Sequence, residues 1–495
     1  MKRKTWMALA VLTLMAGMFT GCGSVPEESS GESRTIETEE PEGNGGDETV
    51  TLRIVSKELN PQDETQMAWL EEYNRALAEA GINAQLELVN IQSGSYADNL
   101  ALMLNGGDIP DLIYFQGGDQ TFANQGILED LTPYIEKSIY MKDVLEDFQK
   151  ERLSNYPYLV YVKAASIKVP VIRGDVLDSL QTAGALLENP TVDNYTAMLK
   201  ELKQDHEAVF GMDGSLDGMN SVFDQAFGLT QTWIKNEAGE YEYARVSQRS
   251  LEQLKYYADL YQQGIIDQDY LNVNWERKEN DFYGNTTAII CGSQGETTDI
   301  YNSNMVAANG ESAALRVLPP AKGEAQGYTP LDTSKETRGF AISAQSEHKD
   351  LAFQVLDFAC SPEGRVLDLL GLKGKTYTEE NGKYTLLPAH DNWFAVIFGT
   401  FANFDLDTVS EETPYWSEAA VSSKEMSSAY STLDNAFVIP EEYTISWDAA
   451  NSTLSEFIAD FVLGNKTEQD WDAFVEEWNR VGGAAVTEYA NSVLK

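Results

Sequence analysis

The chain has 495 residues, with 35 Lys and Arg against 79 Asp and Glu, so its formal net charge at pH 7 is −44. This length exceeds what one hydrophobic core usually supports and predicts two lobes. A surface this negative repels nucleic acid and anionic lipid at long range. It also disfavours a polyanionic ligand, unless a local cluster of Arg side chains reverses the field. Nucleic acid is therefore excluded as a partner.

Residues 1–22 have the pattern of an export signal. A basic start precedes an apolar run from Ala8 to Thr20, which is shorter than the roughly 20 residues of a membrane-spanning helix. We expect residues 1–21 to be removed as a signal peptide. The position of Cys22 resembles a bacterial lipobox, although Phe19 stands where that pattern usually has Leu. The resemblance implies a lipidated Cys22; the alternative is an ordinary signal followed by an unmodified thiol.

Residues 22–48 have the composition of a disordered linker. They are rich in Gly, Ser, Thr and Pro, and nine acidic side chains oppose a single Arg34. Such a segment cannot bury enough apolar surface to offset the entropy lost on ordering. We expect it to be a flexible tether between a membrane anchor and a folded body.

Strand and helix patterns alternate from Val50 onward. Val50, Leu52 and Ile54 recur with the period of a half-buried strand. The further predicted elements are a helix that starts at Asn60-Pro61 with Asp63 at its third position and ends at Gly81, a strand at 82–88, a helix around 100–104 and a buried strand at 111–115. Right-handed crossovers make this order a parallel, doubly wound α/β sheet.

Polar residues follow two of these strands. In open α/β sheets, ligands bind beyond the carboxyl ends of the strands. The candidates are Ser56, Lys57 and Glu58 after the first strand, and Gln116, Asp119 and Gln120 after the third. The two glycines between Gln116 and Asp119 allow close approach of a ligand to the backbone. Each of these residues could instead belong to a polar surface turn.

A second body is predicted after two β-rich segments, 158–162 and 167–172, which suit a first crossing between lobes. A helix follows at 251–261, and Thr286–Cys291 has the pattern of a buried strand. That strand ends in a polar loop with Gln294 and Glu296, which we expect to face a cleft. Arg338 and Phe340 lie near the return crossing and could supply a hydrogen-bonding fork beside a ring.

Sequence motifs along most of the chain resemble those of family 1 extracellular solute-binding proteins. The motifs include LNGGDIPDLIYF, NQGILEDLTPYIEKS, VIRGDVLDSL, LYQQGIIDQDYLN, FYGNTTAII, VLPPAKGE and SPEGRVLDLLGLKGKTYT. The resemblance implies a bilobal periplasmic-binding-protein-like (Venus flytrap) α/β fold with two doubly wound lobes. It implies an N-lobe of 49–163 plus about 297–345, and a C-lobe of about 164–296 plus 346–495.

The resemblance also implies a function. We expect a lipid-anchored receptor on the extracytoplasmic face of a bacterial cell membrane, attached to the membrane through its lipid alone. The expected ligand is an oligosaccharide held in the cleft at the hinge and delivered to the permease of an ABC importer. A monomer is expected. The alternatives are a binder of a peptide or amino-acid-like ligand and a secreted carbohydrate-active hydrolase.

Aromatic side chains are the expected platforms for sugar rings, because sugars present apolar C–H faces. The candidates are Trp233, Trp275, Trp393, Phe394, Tyr415 and Trp416, with core packing as the alternative for each. The adjacent pairs 393–394 and 415–416 rank highest, since neighbouring rings cannot easily all point inward. By contrast, Trp471, Phe474, Val475 and Trp478 recur at helical spacing and predict a core stripe.

Metal and cofactor motifs are missing from the sequence. The three histidines stand far apart, and neither phosphate-loop spacing nor an EF-hand pattern occurs. We therefore expect no metal, no cofactor and no catalytic residue. Besides Cys22, only Cys291 and Cys360 are present, so one disulfide is possible, although spacing cannot decide whether they meet.

Overall fold

Two four-stranded sheets with helices packed on them form the framework of the molecule. The computed structural model describes residues 49–91, 96–160, 167–335, 338–393, 395–397 and 406–494. Cys22, the predicted linker and Phe394 lie outside the described residues, so the predictions made for them stay predictions.

Twelve strands and nineteen α-helices are present among the described residues. The strands are β1 Val50–Val55, β2 Ala84–Leu88, β3 Leu112–Gln116, β4 Lys168–Arg173, β5 Ala208–Phe210, β6 Trp233–Lys235, β7 Tyr241–Tyr243, β8 Thr287–Ser293, β9 Leu315–Val317, β10 Arg338–Ile342, β11 Tyr377–Glu380 and β12 Lys383–Leu386. The helices are α1 Glu64–Glu79, α2 Tyr96–Asn105, α3 Asp119–Asn124, α4 Thr132–Ile135, α5 Met141–Val144, α6 Asp147–Asn155, α7 Gly174–Ser179, α8 Ala183–Glu188, α9 Val192–Leu202, α10 Asp217–Phe223, α11 Gln248–Gln262, α12 Trp275–Tyr283, α13 Glu296–Asn309, α14 Lys349–Ala359, α15 Pro362–Leu370, α16 Glu418–Tyr430, α17 Thr444–Val462, α18 Trp471–Trp478 and α19 Ala484–Val493.

The first sheet has the strand order β10-β3-β1-β2. β1 runs parallel to β2 and β3, as the alternating strand and helix patterns predicted. Leu52 and Ile54 are fully buried while Thr51 is exposed, which confirms the period of β1. β10 adds an antiparallel edge strand from a distant part of the chain, with Phe340 opposite Tyr114.

Helix α1 begins later than the sequence predicted. Asp63 is its N-cap, and its carboxylate accepts the backbone N–H groups of Thr65 at 2.8 Å and Gln66 at 3.1 Å. The side chain of Asn60 accepts the N–H of Gln62 instead, so it closes a turn before the helix. The predicted start was wrong because a second capping residue lies three positions further on.

The second sheet has the order β5-β8-β4-β9. β8 is parallel to β5, but β4 runs antiparallel to both of its neighbours, so this sheet is mixed. The predicted strand at 286–291 is confirmed as β8, which extends to Ser293. Lys168 at the start of β4 pairs with Ser293, so the chain enters this sheet at the carboxyl end of β8.

The hydrophobic cores divide the chain differently from the predicted lobe boundaries. The core of the first sheet takes residues up to Val160 and again from Phe340 to Ile397. β9 belongs to the second sheet, although 297–345 was assigned to the first lobe. α14 and α15 pack on the first core because their apolar faces meet α1, where the hydroxyl of Tyr73 donates to the carbonyl of Val355 at 2.9 Å.

The two remaining cysteines are free thiols. Cys291 is buried in the core of the second sheet, and Cys360 is buried in the core of the first. The disulfide that the sequence left open is therefore not formed. Burial raises the pKa of the Cys291 thiol to about 12, despite the opposing charges of two nearby lysines.

The C-terminal helices complete the second lobe. Trp471, Phe474 and Trp478 of α18 are buried in its core, and Val475 packs partly buried beside them. The ring of Phe474 stacks on Phe457 of α17 with 4.0 Å between centroids. The predicted core stripe is confirmed.

Candidate functional site

The polar loops after β3 and β8 lie where the chain passes between the two sheets. β3 ends at Gln116, which is in register with Arg338 at the start of β10. In the loop after β8, the backbone N–H of Gln294 donates to the carbonyl of Ile167 at 2.9 Å, and its side-chain oxygen accepts the N–H of Ile167 at 2.7 Å. Gln294 thus joins the loop to the chain segment that enters β4.

Gln116 and Arg338 are brought together at one sheet edge. Arg338 is exposed, and the amide nitrogen of Gln116 is buried with no hydrogen-bond partner among the residues that the structure describes. A buried donor of this kind is costly unless a ligand, water or conformational change satisfies it. Asp119 is fully buried at the first residue of α3, and Gln120 beside it is half-buried.

The loop after β1 is partly structural. Ser56 is 1% exposed, and its hydroxyl accepts the backbone N–H of Glu58 at 3.2 Å. Lys57 and Glu58 are half-buried. Burial raises the pKa of Tyr96, and the charges of Tyr114 and Glu58 add to this effect. Glu58 therefore lies near a buried tyrosine of the first lobe.

Tyr415 and Trp416 connect the two lobes. Tyr415 packs partly buried against the first core, 5.5 Å from the ring of His390. Burial raises its pKa, and the negative charges of nearby carboxylates, Glu296 first, add to the increase. Trp416 is 8% exposed and lies against Gly295 of the loop after β8. Exposed Glu296 thus lies close to both predicted rings.

Lys424 of α16 is a charged residue that sequence reasoning missed at this point. Its ammonium lies 4.1 Å from the ring centre of Trp416, within cation–π range. Burial lowers its pKa, and the charge of Glu146 in the first lobe opposes that effect. One face of Trp416 is therefore already occupied, which leaves less of the ring for a ligand.

Three of the predicted aromatic residues have mainly packing contacts. Phe340 is fully buried, with its ring 5.2 Å from that of Tyr114. Trp233 is 2% exposed and its ring stacks 5.6 Å from Phe437. Core neighbours cover both rings, which contradicts the expected role of Trp233 as a sugar platform and of Phe340 as an accessible ring beside Arg338. Trp393 is half-buried, and its indole N–H donates to a carbonyl of the first lobe at 2.9 Å.

Asp368 holds the segment after Trp393. It is fully buried, and its carboxylate accepts the N–H groups of Val396 at 2.7 Å and Ile397 at 2.8 Å. Trp275, the remaining candidate ring, is 61% exposed at the start of α12.

A cavity of about 720 Å³ lies where segments of both lobes meet. Its walls come from α6 of the first lobe, from α10 and α17 of the second, and from the segment 329–335 that leads back to β10. The lining residues are Phe148, Arg152, Ile167, Lys168, Asp217, Asn220, Ser221, Tyr243, Arg245, Thr329, Pro330, Leu331, Asp332, Thr333, Lys335, Asn451, Leu454, Ser455 and Ile458. None of the residues predicted from the sequence is among them.

A smaller cavity of about 200 Å³ continues into the second lobe between α10, α11 and α17. It shares Asp217, Asn220, Arg245, Ser455 and Ile458 with the larger cavity. The two form one recess with Arg245 in the common wall. The loop that leads into α10 follows β5. Ligand sites were sought beyond the carboxyl ends of β1, β3 and β8, and the same rule applies to β5. This strand has only three residues and was not predicted from the sequence, so the loop was missed.

Arg245 is fixed by a buried network behind the cavity wall. Its guanidinium donates to both carboxylate oxygens of Asp224, at 2.9 and 2.6 Å, and to the side chain of Gln253 at 3.1 Å. Asp224 also accepts from Gln253 at 2.9 Å and from the hydroxyl of Thr329 at 3.2 Å. Burial acts to lower the pKa of Arg245, but the charge and hydrogen bonds of Asp224 outweigh it and raise the pKa.

The described residues also bear on metal binding and on membrane insertion. No group of three or more His, Cys, Asp or Glu side chains in this part of the chain could hold a metal ion. No helix among the described residues is long and apolar enough to cross a membrane.

Comparison with known proteins identifies the family. Residues 61–366, more than half of the chain, match the model of the bacterial extracellular solute-binding proteins. The chain belongs to this family. Lipoprotein LipO of Bacillus subtilis (strain 168) is 19% identical over 533 aligned positions, which cover 100% of this chain and 98% of LipO.

Solved structures of solute-binding proteins share the fold. FusA of Streptococcus pneumoniae, an ABC-transporter substrate-binding protein in complex with kestose, matches with a TM-score of 0.64 and 14% identity, over 90% of this chain and 98% of FusA. An HMO-binding, ABC-transporter-associated solute-binding protein of Bifidobacterium longum infantis matches with a TM-score of 0.63 and 16% identity, over 89% of this chain and 98% of that one. The fold is the bilobal solute-binding fold that the sequence predicted.

Proposed function

We propose that this extracellular solute-binding protein captures an oligosaccharide in the cavity between its lobes and delivers it to the permease of an ABC importer. The observation that carries the proposal is the cavity of about 720 Å³, which falls within the range of about 300–1,000 Å³ usual for small-molecule sites. Residues from both lobes line it, so a bound ligand would contact both and favour their closure.

The chemistry of the cavity wall suits a sugar. Amide and hydroxyl side chains surround it, among them Asn220, Thr329 and Asn451, and these groups both donate and accept hydrogen bonds. Phe148 and Tyr243 supply rings for apolar sugar faces. The FusA complex with kestose and the HMO-binding protein support this ligand class.

The residues predicted around the crossings have a proposed part in the same cleft. Gln116, Arg338 and Glu296 offer polar groups at the strand ends, and Tyr415 with Trp416 joins the lobes. We expect them to contact the outer sugar units or to move when the lobes close. Ser56, Asp119 and Gln294, which are held in local structure, would position the loops.

The protein is proposed to act as a receptor and not as an enzyme. Incubation with labelled oligosaccharides, followed by calorimetry and product analysis, tests this. Saturable binding with no released product is expected, whereas turnover would contradict the receptor role. Small-angle scattering with the same sugar should show a smaller radius of gyration, and an unchanged radius at saturation would count against lobe closure.

The lipid anchor is a separate part of the proposal. LipO is a lipoprotein by name, which supports a lipidated Cys22 on the extracytoplasmic face of the membrane. Cys22→Ala should move the protein from the membrane fraction to the medium. A variant that stays in the membrane fraction would contradict anchoring through this residue.

A further inference from the structure

Basic side chains are concentrated in the wall of the large cavity. Lys and Arg make up 35 of the 495 residues, yet they make up 4 of the 19 residues that line the cavity. They are Arg152, Lys168, Arg245 and Lys335, and the acidic residues of the lining are Asp217 and Asp332. A chain with a net charge of −44 therefore has an excess of positive charge in the lining of this cavity.

Arg245 contributes donors more than charge. Asp224 lies directly behind Arg245 and offsets its charge. With this third carboxylate counted against the four basic side chains, the net charge around the cavity is one positive charge. The hydrogen bonds to Asp224 and Gln253 use three of the five N–H groups of a guanidinium. Arg245 is thus a rigid donor held at the wall.

Two lysines carry the adjustable charge. The ammonium of Lys168 lies 3.7 Å from the carboxylate of Asp217, and that of Lys335 lies 3.5 Å from Asp332. Both distances exceed those of ordinary hydrogen bonds, which are about 2.7–3.2 Å. The lysine side chains are 42% and 81% exposed, so they can turn towards a ligand at little cost.

We infer that the ligand carries one acidic group, a carboxylate or a sulfate, which is bound by Lys168 and Lys335 beside the donors of Arg245. The inference rests on the proposed function and narrows its ligand class. The number of acidic groups is limited by the rest of the molecule, because the overall negative field opposes a chain of many uronates. An otherwise neutral oligosaccharide with a single acidic group satisfies both conditions.

A glycan array tests the inference on the full-length protein. Its four classes are neutral oligosaccharides, oligosaccharides with one carboxylate, oligosaccharides with one sulfate, and polyuronates. The strongest binding is expected in a single-charge class, and comparing the carboxylate and sulfate arms identifies the acidic group. The best binder is then compared by calorimetry with its uncharged form, the methyl ester or the desulfated sugar, which should bind at least about tenfold more weakly.

Variants then locate the acidic group. Lys168→Gln and Lys335→Gln should each weaken binding of the acidic sugar by about two- to fivefold, and more than they weaken binding of its uncharged form. Lys200→Gln, at an exposed position of α9 outside the cavity, is the matched control and should alter neither.

The outcomes separate this inference from the proposed function. Strongest binding of neutral sugars, or equal binding of the acidic sugar and its uncharged form, would overturn the acidic-group inference and leave the receptor role standing. Unchanged binding of the acidic sugar in both lysine variants would also overturn it. No binding in any class of the array would overturn the proposed function and this inference with it.

Discussion

Replacing Asp224 with Asn tests whether a buried ion pair maintains the cavity wall. Asp224 is 2% exposed, and its carboxylate accepts from Arg245, Gln253 and Thr329, which belong to three different segments. Asn keeps the volume of the side chain but removes the charge, and it replaces one acceptor oxygen with a donor that faces other donors. Arg245 would then lack a compensating carboxylate.

The magnitude follows from the burial of the pair. Removing one partner of a buried ion pair costs about 3–5 kcal/mol. The side chain of Arg245 is 24% exposed to the solvent of the cavity, so the lower end, about 3 kcal/mol, applies. For a cooperative unit the size of one lobe, each kcal/mol lowers Tm by about 2–4 °C. Asp224→Asn should therefore lower Tm by about 6 °C or more.

Differential scanning calorimetry measures this change. Asp205→Asn, at an exposed position after α9, removes the same charge and should shift Tm by about 1 °C or less. The double variant Asp224→Asn with Arg245→Gln should cost less than the sum of the two single variants, because neither unpaired charge is left behind. A Tm for Asp224→Asn equal to that of the Asp205→Asn control would refute the stabilising role of the pair.

Three further predictions concern Asp368, the two buried cysteines and the partly exposed Asp175. Asp368→Ala leaves two buried backbone N–H groups without their acceptor, so calorimetry should show a loss of about 2–4 kcal/mol; an unchanged Tm would contradict it. Cys291 and Cys360 should resist a thiol reagent in native buffer and react in denaturant, as read by peptide mass spectrometry, and native labelling of either would count against their burial. The hydrogen bonds and charge of Arg173 outweigh the effect of burial and lower the pKa of Asp175 below its ordinary value of 3.8. The ionised carboxylate therefore stabilises the fold above pH 3.8, and this contribution is lost as the pH falls through the pKa of the folded state. Asp175→Asn should hence lower Tm by about 1–2 °C at pH 7, with the difference vanishing in acid; a constant difference would exclude the linkage.

Local patterns were sufficient to predict the three parallel strands of the first sheet. The alternation of apolar residues around Leu52 indicates a strand buried on one face, and the continuous apolar run of β3 indicates a strand buried on both faces. Both patterns can be read from residues that are close in sequence. The partner of β3 on its other side could not be found in this way. β10 lies 226 positions later, from Tyr114 to Phe340, and nothing local indicates which strand occupies an open sheet edge.

The candidate site was predicted less well because it depends on contacts between distant segments. The strand-end rule located Gln116 and Gln294 at the crossings, but Arg245 follows a hairpin strand and is held at the cavity wall by Asp224 and Gln253, which are distant from each other in sequence. Trp233 is of the residue type expected for a sugar platform, but it lies in the hydrophobic core. Residue type alone does not distinguish the two, since an exposed ring and a buried ring follow the same local pattern.

The discontinuous first core has a consequence for how the protein folds during synthesis. Its sheet and helices draw on residues up to Val160 and again from Phe340 to Ile397. Until the second group has been made, β3 has an open edge and α1 lacks the helices that cover it. Contacts of such long sequence separation form slowly, because a large loop must close first. The first core can therefore be completed only after the residues up to Ile397 have been synthesised, so folding of the amino-terminal sheet depends on a segment made much later.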